Sequence, residues 1–155
     1  MPLSRSELKA ALELMAMEFD PALPEHALLE LTLISDARMA ELNESYLHCA
    51  GPTNILAFPA QEAGRCSRRP LASSHNCRLQ ASLGWIALSP FTLRREAFLY
   101  KQNLPAYTLR LLAHGFAHLL GYEHGELMDT ASDKAALAAQ RSLKGHSLAG
   151  IQLDF

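Results

Sequence analysis

Residues 114–124 read His-Gly-Phe-Ala-His-Leu-Leu-Gly-Tyr-Glu-His. His114 and His118 are four residues apart. On an α-helix that spacing offsets them by only ~40°, so both imidazoles leave one face about a turn apart. Two nitrogens so placed suit a single metal ion. Gly121 lets the chain turn back, and His124 can then return a third imidazole to the same ion. Three neutral nitrogens leave one direction of a tetrahedral zinc ion open, as catalytic sites do and closed structural sites do not. Zinc held this way brings the pKa of its water to ~7 and supplies hydroxide at neutral pH. A structural site would need a fourth ligand, for which Cys49, Cys66 and Cys77 are the candidates.

The same spacing occurs in the extended zinc-protease motif, with one difference. Those enzymes carry Glu directly after the first His as general base. Here that position is Gly115, which cannot take a proton. A peptidase or amidase reading therefore needs another carboxylate. Glu123, beside His124, is the nearest in sequence; it reads otherwise as a surface or supporting acid.

The elements that must position these histidines follow from periodicity. Leu8, Ala11, Leu12, Met15 and Phe19 recur at helical spacing behind Ser4 or Ser6, and Asp20-Pro21 ends that helix. Residues 27–34 read as a strand. Ser35-Asp36 offers a cap for a second helix through Met39, Leu42 and Tyr46, closing near Leu47. After Gly51-Pro52, residues 54–58 and 81–88 read as strands. Ser89-Pro90 starts a short helix over 91–102. Pro105 begins the apolar helix that carries His114 and His118, and Gly121 stops it. A last, alanine-rich helix covers about 128–143. The chain is read as one α+β domain over 1–155, with 61–80 as a long polar loop.

Composition narrows the class. The 155 residues are 49% hydrophobic and 19% charged, which suits a globular domain rather than a disordered chain. No apolar run reaches the ~20 residues that span a bilayer. The first residues mix acids and lysine into an apolar pattern, unlike a signal peptide. Three cysteines without secretory context imply reduced thiols and a cytoplasmic protein. Net charge is −2, unevenly spread: −7 over residues 1–64, +7 over 65–110 and −2 over 111–155. The basic middle third could hold a polyanion, or could be arginines scattered over a solvated surface.

The histidine block HGFAHLLGYEH resembles the signature of the YbeY family of bacterial endoribonucleases, His-Gly-x-x-His-Leu-x-Gly-Tyr-Asp-His, with Glu123 in place of Asp. A second block, Leu42-Asn43 followed by Pro52-Thr53-Asn54-Ile55-Leu56-Ala57-Phe58-Pro59, is similar to the family's Leu-Asn … Pro-Thr-(Asp/Asn)-Val-Leu-Ser-Phe-Pro. Leu83-Gly84 matches the family's Leu-Gly-Asp more weakly. The resemblance implies a small mixed sheet packed with helices and a zincin-like, metal-bearing central helix. It implies one zinc ion on His114, His118 and His124. It also implies a metal-dependent, single-strand-specific endoribonuclease acting in ribosomal RNA maturation and ribosome quality control, with ribosomal RNA and ribosomal proteins as partners. Arg65, Arg68, Arg69, Arg78, Arg94 and Arg95 would then hold the phosphate backbone. Trp85 and Tyr46 could stack bases, or simply pack.

Three positions depart from the family. An arginine linked to activity falls on Leu47, the acid after Leu-Gly falls on Trp85, and the serine before Phe-Pro is Ala57. Loss of a charge-stabilising group typically costs ~100-fold or more in rate. Protonated His48, next to Leu47, could stand in. The alternative expectation is a divergent member that keeps zinc and binds ribosome or RNA without efficient cleavage.

Overall fold

Ser4 starts the first helix by capping in both directions. Its hydroxyl accepts from the Glu7 N–H (3.2 Å), and its own N–H donates to the Glu7 carboxylate (2.7 Å). The computed structural model describes residues 3–21, 23, 27–60 and 82–149. In chain order they form α1 (Arg5–Phe19), β1 (Leu28–Leu33), α2 (Asp36–Leu47), β2 (Ile55–Pro59), β3 (Ser82–Leu88), α3 (Pro90–Leu99), α4 (Leu104–Leu119) and α5 (Glu126–Ala149). The expected α+β architecture is present. The polar stretch 61–80, with Arg65, Arg68, Arg69, Arg78, Cys66 and Cys77, lies outside the described residues.

The sheet is mixed, in the order β1-β3-β2. β1 runs parallel to β3, and β2 runs antiparallel to it. Because β3 is central, both its faces are buried, and Trp85 to Leu88 are all core. Alternation divides the side chains between two layers. Trp85 and Ala87 join Leu56 and Phe58 against Met39 and Leu42 of α2. Leu88 faces the other way, among Leu93 and Ala97 of α3 and Tyr107 of α4. Beside that layer, α1 and α5 close on α4 through Leu8, Ala11, Met15, Leu112, Ala135 and Ala139.

Two boundaries differ from the periodicity. α3 stops at Leu99 instead of 102, because Lys101 adopts φ +53° and breaks the helical path. α5 begins at Glu126 and runs to Ala149, since polar residues beyond the apolar stripe still propagate a helix once it is anchored. Among the described residues, no helix is long and apolar enough to cross a membrane.

Candidate metal centre

α4 is a well-punctuated helix. Asn103 caps it through a bond from the Ala106 N–H (3.1 Å), and a proline occupies its first turn. At the other end the chain makes a paired C-terminal cap. The Tyr122 N–H reaches the Ala117 carbonyl and the Gly121 N–H reaches that of His118, both at 3.0 Å. Gly121 supplies the left-handed residue, φ +83°, that this cap requires. The turn doubles the chain back over its own last helical turn and delivers His124.

The result is the cluster that the spacing predicts. Nε2 of His114 and Nε2 of His118 stand 3.3 Å apart. Ring centroids of the three histidines are separated by 4.8, 5.3 and 4.6 Å. One nitrogen from each lies within 4.8 Å of the others. Two ligands at 2.0–2.1 Å from a tetrahedral zinc ion would be ~3.3–3.4 Å apart, so the His114–His118 pair fits one ion. The three-imidazole donor set suits zinc and related transition metals better than hard cations. Among the described residues no cysteine or carboxylate completes the group, and Cys49 is exposed.

The electrostatics agree with a ligand role. Partial burial pushes the pKa of His114 below the ordinary imidazole value, and the neighbouring His118 and His124 push it further. Burial and His124 do the same to His118. Both rings are therefore neutral near pH 7, with lone pairs available. The Tyr122 backbone carbonyl accepts from the His118 ring, which frees the opposite nitrogen, as metal-ligating histidines require. Asp129, in the first turn of α5, bears on His114 with the opposite sign. Sequence reasoning missed Asp129 because it belongs to another helix, five residues past the motif.

Gly115 has a reason of its own. A Cβ there would meet the Ile55 side chain at 2.9 Å. The position faces β2, and a side chain there would have to displace the end of the Ile55 side chain. Glu123 is exposed. The second motif proves architectural. Leu42 is core, while the buried Asn43 side chain donates to the Gly51 carbonyl (2.9 Å), tying α2 to the Pro-Thr-Asn segment. Asn54 donates to Glu96 (2.7 Å), which also accepts from the Tyr107 hydroxyl (2.9 Å). That network locks β2, α3 and α4 together.

Trp85 is not available to stack bases. It is 1% exposed, lies on Phe58 at 4.8 Å, and donates its indole N–H to Thr32 (3.1 Å). Tyr46 is half-buried, edge-on to Phe58. Leu47 and His48 close α2 and are exposed, His48 with φ +54°. Ala57 is half-buried opposite Ile86. Arg94 and Arg95 are exposed on α3, outside the histidine cluster.

Comparison with known proteins agrees with this frame. The family described as Endoribonuclease YbeY matches residues 3–142. A protein named Endoribonuclease YbeY from Oleidesulfovibrio alaskensis is 40% identical over 139 residues, covering 85% of this chain and 80% of its own. One of the same name from Nitratidesulfovibrio vulgaris is 44% identical over 119 residues, 72% of this chain and 74% of its own. The solution structure of a Thermotoga maritima protein superposes with a TM-score of 0.58 at 17% identity, over 97% of this chain and 92% of that one, a likeness of fold. The histidine turn, the Asn43 tie and the match over residues 3–142 carry one conclusion: this chain belongs to the endoribonuclease YbeY family.

Proposed function

We propose that the chain, as one metal-hydrolase domain over 1–155, is a zinc-dependent, single-strand-specific endoribonuclease acting in ribosomal RNA maturation and ribosome quality control in the cytoplasm. The observation that carries the reading is the convergence of the His114, His118 and His124 nitrogens within 4.8 Å, in a chain whose relatives bear the endoribonuclease name. His114, His118 and His124 hold the ion. A zinc ion there supplies Lewis acidity toward a phosphodiester and acidifies a water. The chain's own groups do the rest. His114 and His118 stay neutral at working pH, and the Tyr122 carbonyl fixes the His118 ring. Arg94 and Arg95 offer charge to the phosphate backbone, joined by Arg65, Arg68, Arg69 and Arg78 in the same basic third of the sequence. Relatives at 40–44% identity favour a cutting enzyme over a binding-only member, Leu47 notwithstanding.

The test is cleavage of labelled single-stranded and duplex ribosomal RNA fragments by metal-quantified protein, beside His118→Ala. Cutting confined to the single strand and lost in His118→Ala is the expected result. Equal cutting by His118→Ala, or metal-dependent turnover of a peptide but not RNA, would overturn the reading.

A further inference from the structure

α3 carries a second non-polar face that its packing does not use. Its inward side buries Thr92, Leu93 and Ala97. Its outward side presents Phe91, Arg94, Arg95 and Phe98, which fall within an arc of ~100° at 3.6 residues per turn. Phe91 is 69% exposed and Phe98 88%. The C-terminal end of the helix adds Tyr100, 59% exposed, and exposed Lys101. Glu96, the helix's one acid, is turned inward to Asn54 and Tyr107. The outward surface is thus aromatic and cationic, with Asp36 bearing on Arg95 from its edge. Single apolar residues on a surface are ordinary, but three exposed aromatics on one short helix and its C-terminal end suit a contact site.

Its position links it to the metal centre. On α4, Tyr107, Leu111, His114 and His118 fall on one stripe, within ~60° of one another. α3 packs on the Tyr107 and Leu111 part of that stripe. The histidines continue it, beginning seven residues beyond Tyr107, or ~10 Å at 1.5 Å per residue. α3 and the histidines thus occupy successive parts of one stripe of α4.

We propose that the outward face of α3, with Phe91, Phe98 and Tyr100 between Arg94, Arg95 and Lys101, is a base-stacking platform for single-stranded RNA. The choice of RNA rests on the nuclease reading. The chemistry supports it independently. Aromatic faces take any unpaired base, and interleaved cations neutralise the phosphates between them. Among the described residues Arg94, Arg95 and Lys101 are exposed here while Glu96 is turned inward, so the face attracts a polyanion.

The experiment is fluorescence anisotropy with labelled single-stranded RNA of about 16 and about 4 nucleotides, the range of typical single-strand sites. It uses metal-quantified protein, Phe91→Ser/Phe98→Ser, Arg94→Glu/Arg95→Glu, and Met17→Ser on α1 as an exposed apolar control. Loss of both rings should weaken binding of the longer RNA by about tenfold or more. The charge variant should also flatten the salt dependence by about 0.7 per lost phosphate contact. Met17→Ser should match the parent. In a second measurement, a photo-reactive phenylalanine analogue at position 98 should cross-link to the RNA. Unchanged affinity in the double-ring variant, or no cross-link from position 98, would overturn the platform. The readout is binding, so a chain that binds through α3 without cutting sinks only the nuclease reading. A chain that cuts and binds equally well without the rings sinks only the platform.

Discussion

His118 shows how a single side chain is prepared for its task. One ring nitrogen is engaged by the Tyr122 carbonyl, and the other faces His114 at 3.3 Å. Burial then keeps the ring neutral. On the proposed reading, replacing His118 by Ala removes a ligand where weakening its support alone costs 10–100-fold. Zinc affinity should fall by at least about 100-fold in a chelator competition, with the fold's thermal midpoint little changed in the metal-free state. Asp36 makes a different residue-scale prediction. The Ser89 hydroxyl donates to it, Thr92 adds a bond of 2.9 Å, and its pKa is lowered chiefly by the Ser89 bond. A depressed folded pKa means that Asp36 stabilises the fold above about pH 4, and that this contribution fades as pH falls through the lower folded value. Urea unfolding should show the native chain losing stability as pH falls below about 4 more steeply than Asp36→Asn. Equal slopes would refute the role. At this scale the histidine cluster was legible, because helical spacing alone brings His114 and His118 together. Asp129 and the Tyr122 carbonyl were not, because their contributions depend on how the turn after α4 folds.

At the scale of elements, the legible features are those with local causes. Ser4, Ser35 and Ser89 cap their helices as their positions suggest, and Gly121 ends α4. Gly84 shows what local pattern hides. It sits inside β3 with φ +133°, and a Cβ there would overlap the Phe58 carbonyl oxygen and crowd the Leu119 side chain. The requirement comes from β2, a strand far away in sequence. Gly84→Ala should therefore destabilise by about 2–4 kcal/mol, read as a lower urea midpoint, while the cheaper Gly121→Ala should cost about 1–2 kcal/mol and show most in weakened zinc retention through a displaced His124. Equal effects on stability from the two variants would count against this account of β3.

The whole molecule explains why residues far apart in sequence meet. β3 lies between β1 and β2, so one strand backs both the α2 layer and the α3–α4 layer that carries the histidines. That order was not readable from three apolar runs, whose alternation defines faces but not neighbours. Trp85 is the clearest case. Its type allowed base stacking or packing, and the central strand settles on packing, burying it against Phe58 and Thr32. The charge asymmetry was legible as a number, and among its described arginines Arg94 and Arg95 lie exposed on α3. The central claim is that three histidines from one helix and its turn hold a single ion on which RNA cleavage depends. Its most direct test adds zinc stepwise to metal-free protein and follows bound zinc and single-stranded RNA cleavage together. The account predicts that cleavage rises in proportion to zinc and saturates when each histidine cluster holds its one ion. Undiminished cleavage by the metal-free chain would contradict it.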